Sequence, residues 1–157
     1  MKTQTKILPP ELLLEEYRKL LQEEDVKELP LTITGNSMSP FLIHGRDTVY
    51  LSKLVQPPKR GDMILYRRKN GRYILHRIYR VREGEYDLIG DGQLVIERGI
   101  CREQILATVC TVRRKGKLLR KGNLCWEFYE HIWLALVPWR GRILRLYAGL
   151  TPWRKRK

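Results

Sequence analysis

MILYRRKNGRYILHRIYRV, Met63 to Val81, is the stretch whose reading decides the fold. Two runs rich in branched and aromatic residues flank Asn70-Gly71, a pair that accepts positive φ and closes tight antiparallel hairpins. Within RYILHRIYRV, the strand repeat places Ile74, His76 and Ile78 on one face and Leu75, Arg77 and Tyr79 on the other. Similar runs lie to either side: LTITG, DTVYLSKL, EYDLIG and ILATVCTVRR, each cut by turn residues. Leu31 to Arg114 therefore reads as a compact, mostly antiparallel β-domain.

The flanks read as helical. Pro9-Pro10 can open a helix with Leu12, Leu13, Leu14, Tyr17, Leu20 and Leu21 near one face, and Leu29-Pro30 should end it. Leu118 to Lys157 carries all four tryptophans and, from Arg140 onward, seven basic residues with no acid. Trp126, Ile132, Trp133 and Leu136 can share a helical face, and Pro138 should break it. Ile143, Leu144, Leu146 and Tyr147 could form a second amphipathic turn. The expected class is mainly β (α+β), divided into an N-terminal tail and helix (1–30), a β core (31–114) and a basic, Trp-rich helical appendage (115–157).

The chain has 157 residues and 31 Lys+Arg against 17 Asp+Glu, a net charge of +14. Such a charge favours an acidic partner. One helix before the β-domain is too little for a DNA-reading module, so nucleic acid is the weaker candidate. Trp and Arg together in the tail suit contact with an anionic membrane surface. MKTQTKILPPELLLEEYRKLL has charges where a secretory h-region would run, and the longest apolar run, Ile132 to Val137, is too short to span a bilayer. Three widely spaced cysteines fit a reducing compartment. The expected location is cytoplasmic, with peripheral contact at the inner membrane face. No residue pattern asks for a cofactor or a metal.

TGNSMSP, Thr34 to Pro40, places Ser37 in a segment that is either a turn or an exposed nucleophile. A serine hydroxyl needs a base to take its proton. Of the three histidines, His44 lies in a turn and His131 in the aromatic tail. His76 alone sits among isoleucines on a strand face, where a neutral imidazole serves either as a satisfied core residue or as a general base. Asp91, in the turn IGDG, and Glu97, in VIERG, are the nearby carboxylates able to orient it.

These segments resemble, in order, those of the type I signal peptidases, in the archaeal and endoplasmic-reticulum branch. Gly35-Asn36-Ser37-Met38-Ser39-Pro40 is similar to that family's G-x-S-M-x-P box. Gly45-Arg46-Asp47 and Gly61-Asp62-Met63-Ile64 are similar to its two Gly-Asp strand starts. His76-Arg77-Ile78 resembles the H-R-V base strand, where the bacterial branch has lysine. Gly90-Asp91-Gly92-Gln93 resembles its G-D-N-N turn, and the branch's acid, six residues past the turn aspartate, falls on Glu97. Glutamate there is a departure, and Asp91 remains the alternative.

The resemblance covers about Thr32 to Val112. It implies a β core shared with the LexA-like repressors and a Ser-His-acid endopeptidase. The substrate would be a leader-like or precursor polypeptide bound in extended form, with small side chains beside the cut. It also implies an N-terminal membrane anchor that this sequence does not show. Two rivals stand beside the peptidase: a silent binding module of the same fold and a LexA-like self-cleaving regulator.

Overall fold

The structure, a computed structural model, describes residues 10–23 and 26–150, with side chains described from Leu14 to Leu146. It is mainly β, with an open antiparallel sheet and three helices. The first is α1 (Pro10–Leu20), ending nine residues before the Leu29-Pro30 pair. Pro9 lies outside the described residues. The stretch expected to terminate the helix instead begins β1 (Leu29–Thr32). Pro30 is tolerated there because β1 is an edge strand, with β2 as its partner.

The other strands are β2 (Thr48–Ser52), β3 (Met63–Arg67), β4 (Tyr73–Arg82), β5 (Glu85–Ile89), β6 (Glu97–Cys101), β7 (Ile105–Arg114) and β8 (Lys117–Arg120). The sheet order is β1-β2-β7-β3-β4-β5-β6, and β8 pairs with the end of β7. The Asn70-Gly71 hairpin joins β3 to β4 as expected, and Gly71 takes φ +85°. Its register sets Ile64 opposite His76 and Tyr66 opposite Ile74, so all four share one face. β6 and β8 were not among the expected strands.

Apolar side chains fill both faces of the sheet. On one, Ile64, Tyr66, Ile78, Leu88, Ile100 and Ile105 form a cluster. On the other, Met63, Leu65, Leu51 and Val109 pack with Phe41, Leu42, Leu14 of α1 and Leu21 just beyond it. Trp126, Tyr129 and Trp133 belong to this second cluster, so the C-terminal segment completes the core.

The segment runs through α2 (Leu124–Glu127), a π-helical turn (Phe128–Trp133) and α3 (Arg140–Leu150). The chain leaves the helix around Pro138, as that proline requires. The wider π turn rotates the expected face: Trp126 and Trp133 are buried, whereas Ile132 is 54% exposed. No helix among the described residues is long and apolar enough to cross a membrane.

Candidate active site

The Ser37 loop leaves β1 through Ile33 and Thr34. Gly35, at φ +80°, turns the chain and donates its N–H to Nδ1 of the exposed His44 at 3.0 Å. Met38 is buried under the loop, beside Phe41 and Leu42, and the Ser39–Pro40 peptide is cis. Ser37 is half-buried and opens on a cleft of about 380 Å³ between α1, the edge strand β1 and Leu75 of β4. Among the described residues its Oγ and its N–H make no hydrogen bond.

A second loop fixes this one from below. Gly92 N–H donates to the Ser37 carbonyl at 2.8 Å. A Cβ on Gly90 would stand 2.4 Å from that same carbonyl oxygen, and one on Gly92 would stand 2.6 Å from the Ser39 carbonyl. The glycines of the IGDG turn are therefore required by close approach to the serine loop. β4 and β5 pair Arg77 with Ile89. Gly90 follows Ile89 directly, so the Ser37 backbone packs against the end of β5, beside β4.

His76 is 1% exposed. Its Nδ1 lies 3.2 Å from the Tyr66 hydroxyl and 3.5 Å from Glu97 Oε1. Burial lowers its pKa from 6.5 to about 4, against the opposing pull of Glu97. The imidazole is thus neutral at pH 7, and its approach to Glu97 is a dipole–charge contact. Nδ1 faces the Tyr66 hydroxyl and the Glu97 carboxylate, and Nε2 is the ring's other nitrogen. That atom is buried and, among the described residues, without a hydrogen-bond partner.

Glu97, the first residue of β6, is held by Arg68 through two guanidinium nitrogens. Burial raises its carboxyl, but the bonds from Arg68 and Tyr66 outweigh that and leave it below its ordinary range. Burial and the adjoining Glu97 carboxylate both drive the Tyr66 phenol upward, so it remains a proton donor.

Asp91 has other partners. Its carboxylate is fully buried and accepts both Nε and Nη2 of Arg77, at 3.1 and 3.0 Å. Arg77 is equally buried and also donates to the Gly61 carbonyl at 2.8 Å. The backbone of the turn is gripped from the C-terminal segment. Trp133 Nε1 donates to the Asp91 carbonyl at 2.9 Å, and Arg140 Nη1 donates to that of Gly90 at 3.0 Å.

Of the four candidate residues, the structure brings His76 and Glu97 together and lays the Ser37 loop against the Asp91 turn. It does not join Ser37 Oγ to His76, nor the Asp91 carboxylate to the imidazole. Sequence reasoning missed Tyr66, Arg68, Arg77 and Arg140. Tyr66 was within reach, because the hairpin register puts it on the His76 face. Arg140 was not: it reads as the start of a solvated basic tail, yet it is fully buried against the Trp133 ring. Trp126 and Trp133 likewise drop out of the membrane-facing set, and residues 151–157 lie outside the described residues.

Comparison of the chain with family models, with curated proteins and with solved structures gives no match.

Proposed function

We propose that this protein is a serine endopeptidase in which Ser37 is the nucleophile, His76 the general base and Glu97 the group that orients the imidazole. One observation carries the reading. A fully buried neutral histidine has Nδ1 beside a phenol and a carboxylate, while Nε2 has no hydrogen-bond partner among the described residues. Leaving a buried ring nitrogen unbonded costs on the order of 1–3 kcal/mol. A site that uses that nitrogen to accept a proton gives it a purpose. The resemblance to the signal peptidases adds the order of the motifs around it.

In this reading Ser37 Oγ attacks a peptide carbonyl carbon as its proton passes to Nε2. The imidazolium formed is stabilised by Glu97, and the free Ser37 N–H donates to the oxyanion. His76 returns the proton to the leaving amine. Water then hydrolyses the acyl-serine with the same base. The Oγ–Nε2 hydrogen bond is made as substrate fills the site, since such bonds tighten on formation of the Michaelis complex. The substrate lies extended along the outer edge of β1, in the cleft between Tyr17 and Leu75.

Ser37→Ala and His76→Ala should each abolish cleavage in a peptide-library assay while leaving folding intact. The double variant should be no worse than either alone, because the two act as one unit. Multiplicative losses would count against the shared mechanism. The missing Oγ–Nε2 bond favours a second reading, a peptide-binding module without chemistry. It is the outcome if wild type and Ser37→Ala bind peptides alike and neither cleaves them. The same proposal keeps the enzyme on the cytoplasmic side with a peripheral contact to anionic lipid. That contact now rests on Trp139, 57% exposed with the Arg142 guanidinium 5.4 Å from its ring centre.

A further inference from the structure

A second cleft, of about 750 Å³, opens between α1, the β3–β4 hairpin and the chain from Cys101 to Leu106. Among the described residues 16 line it, of which six are basic and one, Glu103, is acidic. The whole chain has 31 Lys+Arg in 157 residues. The cleft is therefore richer in cations than the chain as a whole. They come from separate elements: Arg18 on α1, Lys53 after β2, Arg67, Arg68 and Lys69 at the hairpin, and Arg102 after β6.

Two of the six are partly engaged. Arg67 lies 3.7 Å from Glu15, and Arg68 holds Glu97. Arg18, Lys53 and Lys69 make no hydrogen bond or ion pair among the described residues, and Arg102 has only a long contact of 3.5 Å to the Ile105 carbonyl. Like charges gathered in one concavity repel; Glu15 and Glu97 answer Arg67 and Arg68, and among the described lining residues Glu103 alone is left for the other four. A ligand with several adjacent negative charges can answer them, and guanidinium forks match phosphate oxygens. Between the cations the lining includes the apolar Leu54, Ile105 and Leu106, and the volume falls in the range of small-molecule sites.

We propose that this cleft binds an organic polyphosphate, with its phosphates on Arg18, Lys53, Lys69 and Arg102 and its organic part against Leu54 and Leu106. Arg68 makes the site more than a passive one. It lines the cleft and also grips the carboxylate that stands 3.5 Å from His76. An occupant that draws on Arg68 alters the hydrogen bonding at His76. Binding itself is independent of whether Ser37 performs chemistry.

The test is calorimetric titration of the full chain, at fixed ionic strength, with ADP, inorganic pyrophosphate and adenosine. ADP should saturate one site at least as tightly as pyrophosphate, and adenosine should not bind. Combining Lys53→Gln, Lys69→Gln and Arg102→Gln should weaken ADP binding by tenfold or more, and Arg18→Gln alone should weaken it measurably. All four side chains are exposed, so the unfolding midpoints should stay near wild type. ADP should also shift the His76 ring resonances, and should do so in Ser37→Ala as well. Absence of saturable binding, ADP binding weaker than pyrophosphate, or affinity unchanged in both variants would overturn the proposal. So would binding to phosphatidylglycerol vesicles or polyglutamate without binding to ADP.

Discussion

Asp91 and Glu97 are two carboxylates six residues apart, and the protein treats them in opposite ways. Asp91 is fully buried and its two oxygens are taken by one equally buried guanidinium. Glu97 keeps 22% of its side chain exposed and is shared between Arg68, Tyr66 and His76. A buried carboxylate whose bonds are all spoken for has nothing left to give a reacting group, and here it ties the turn under Ser37 to β4. A carboxylate with several competing partners can shift its weight among them as a neighbouring imidazole gains and loses charge. The difference separates architecture from chemistry more sharply than distance in sequence does.

The largest expected effect breaks the architectural side. Arg77→Ala strands the Asp91 charge in the core and should cost about 3–5 kcal/mol in urea denaturation. Asp91→Ala should cost a similar amount by stranding Arg77. The double variant should be less destabilised than the sum of the two.

pH sharpens the chemical side. The buried imidazole titrates near 4 in the fold, against 6.5 ordinarily, because burial penalises its charged form. The unfolded chain therefore takes up this proton first. Its contribution to stability is complete above about pH 6.5 and falls by on the order of 3 kcal/mol as pH drops to about 4. Wild type should lose stability over that window relative to His76→Gln. Parallel curves would mean the imidazole is not held neutral by burial. Glu97, whose carboxyl is already below its ordinary range, adds its own loss at lower pH.

Glu97→Gln should reduce turnover about 100-fold, the scale of an oriented acid–base pair, with far less effect on folding than Arg77→Ala. If it left turnover unchanged, or unfolded the protein as Asp91→Ala should, the contrast between the carboxylates would fail. The smallest effect is expected from Tyr66→Phe. It removes one hydroxyl from the Nδ1 side, with a loss of about 1 kcal/mol in stability and a modest fall in rate.

The legibility of the sequence follows the same division. The hairpin could be read because Asn70-Gly71 demands one backbone geometry, and the face of His76 could be read because strand alternation is strict. β6 could not. In ERGIC the charged pair Glu97-Arg98 and Gly99, at φ +69°, break the apolar alternation that marks a strand. β8, with Lys117 and Arg120 around two leucines, is equally unmarked. The choice between Asp91 and Glu97 stayed open because it depends on where Arg77 and Arg68 point, which is a matter of tertiary packing. Arg140 was hidden for a simpler reason. A charged residue is read as solvated by default, and only the arrival of Trp133 and the Gly90 carbonyl beside it makes burial tolerable.

Fluorophosphonate labelling with mass-spectrometric mapping reports on the Ser37–His76 pair and needs no known substrate. One adduct, on Ser37, is expected at neutral pH. Labelling should be slowed about 100-fold or more in His76→Ala and to a lesser degree in Glu97→Gln. An adduct on another residue, no adduct at all, or labelling of Ser37 at the same rate without His76 would contradict that pairing.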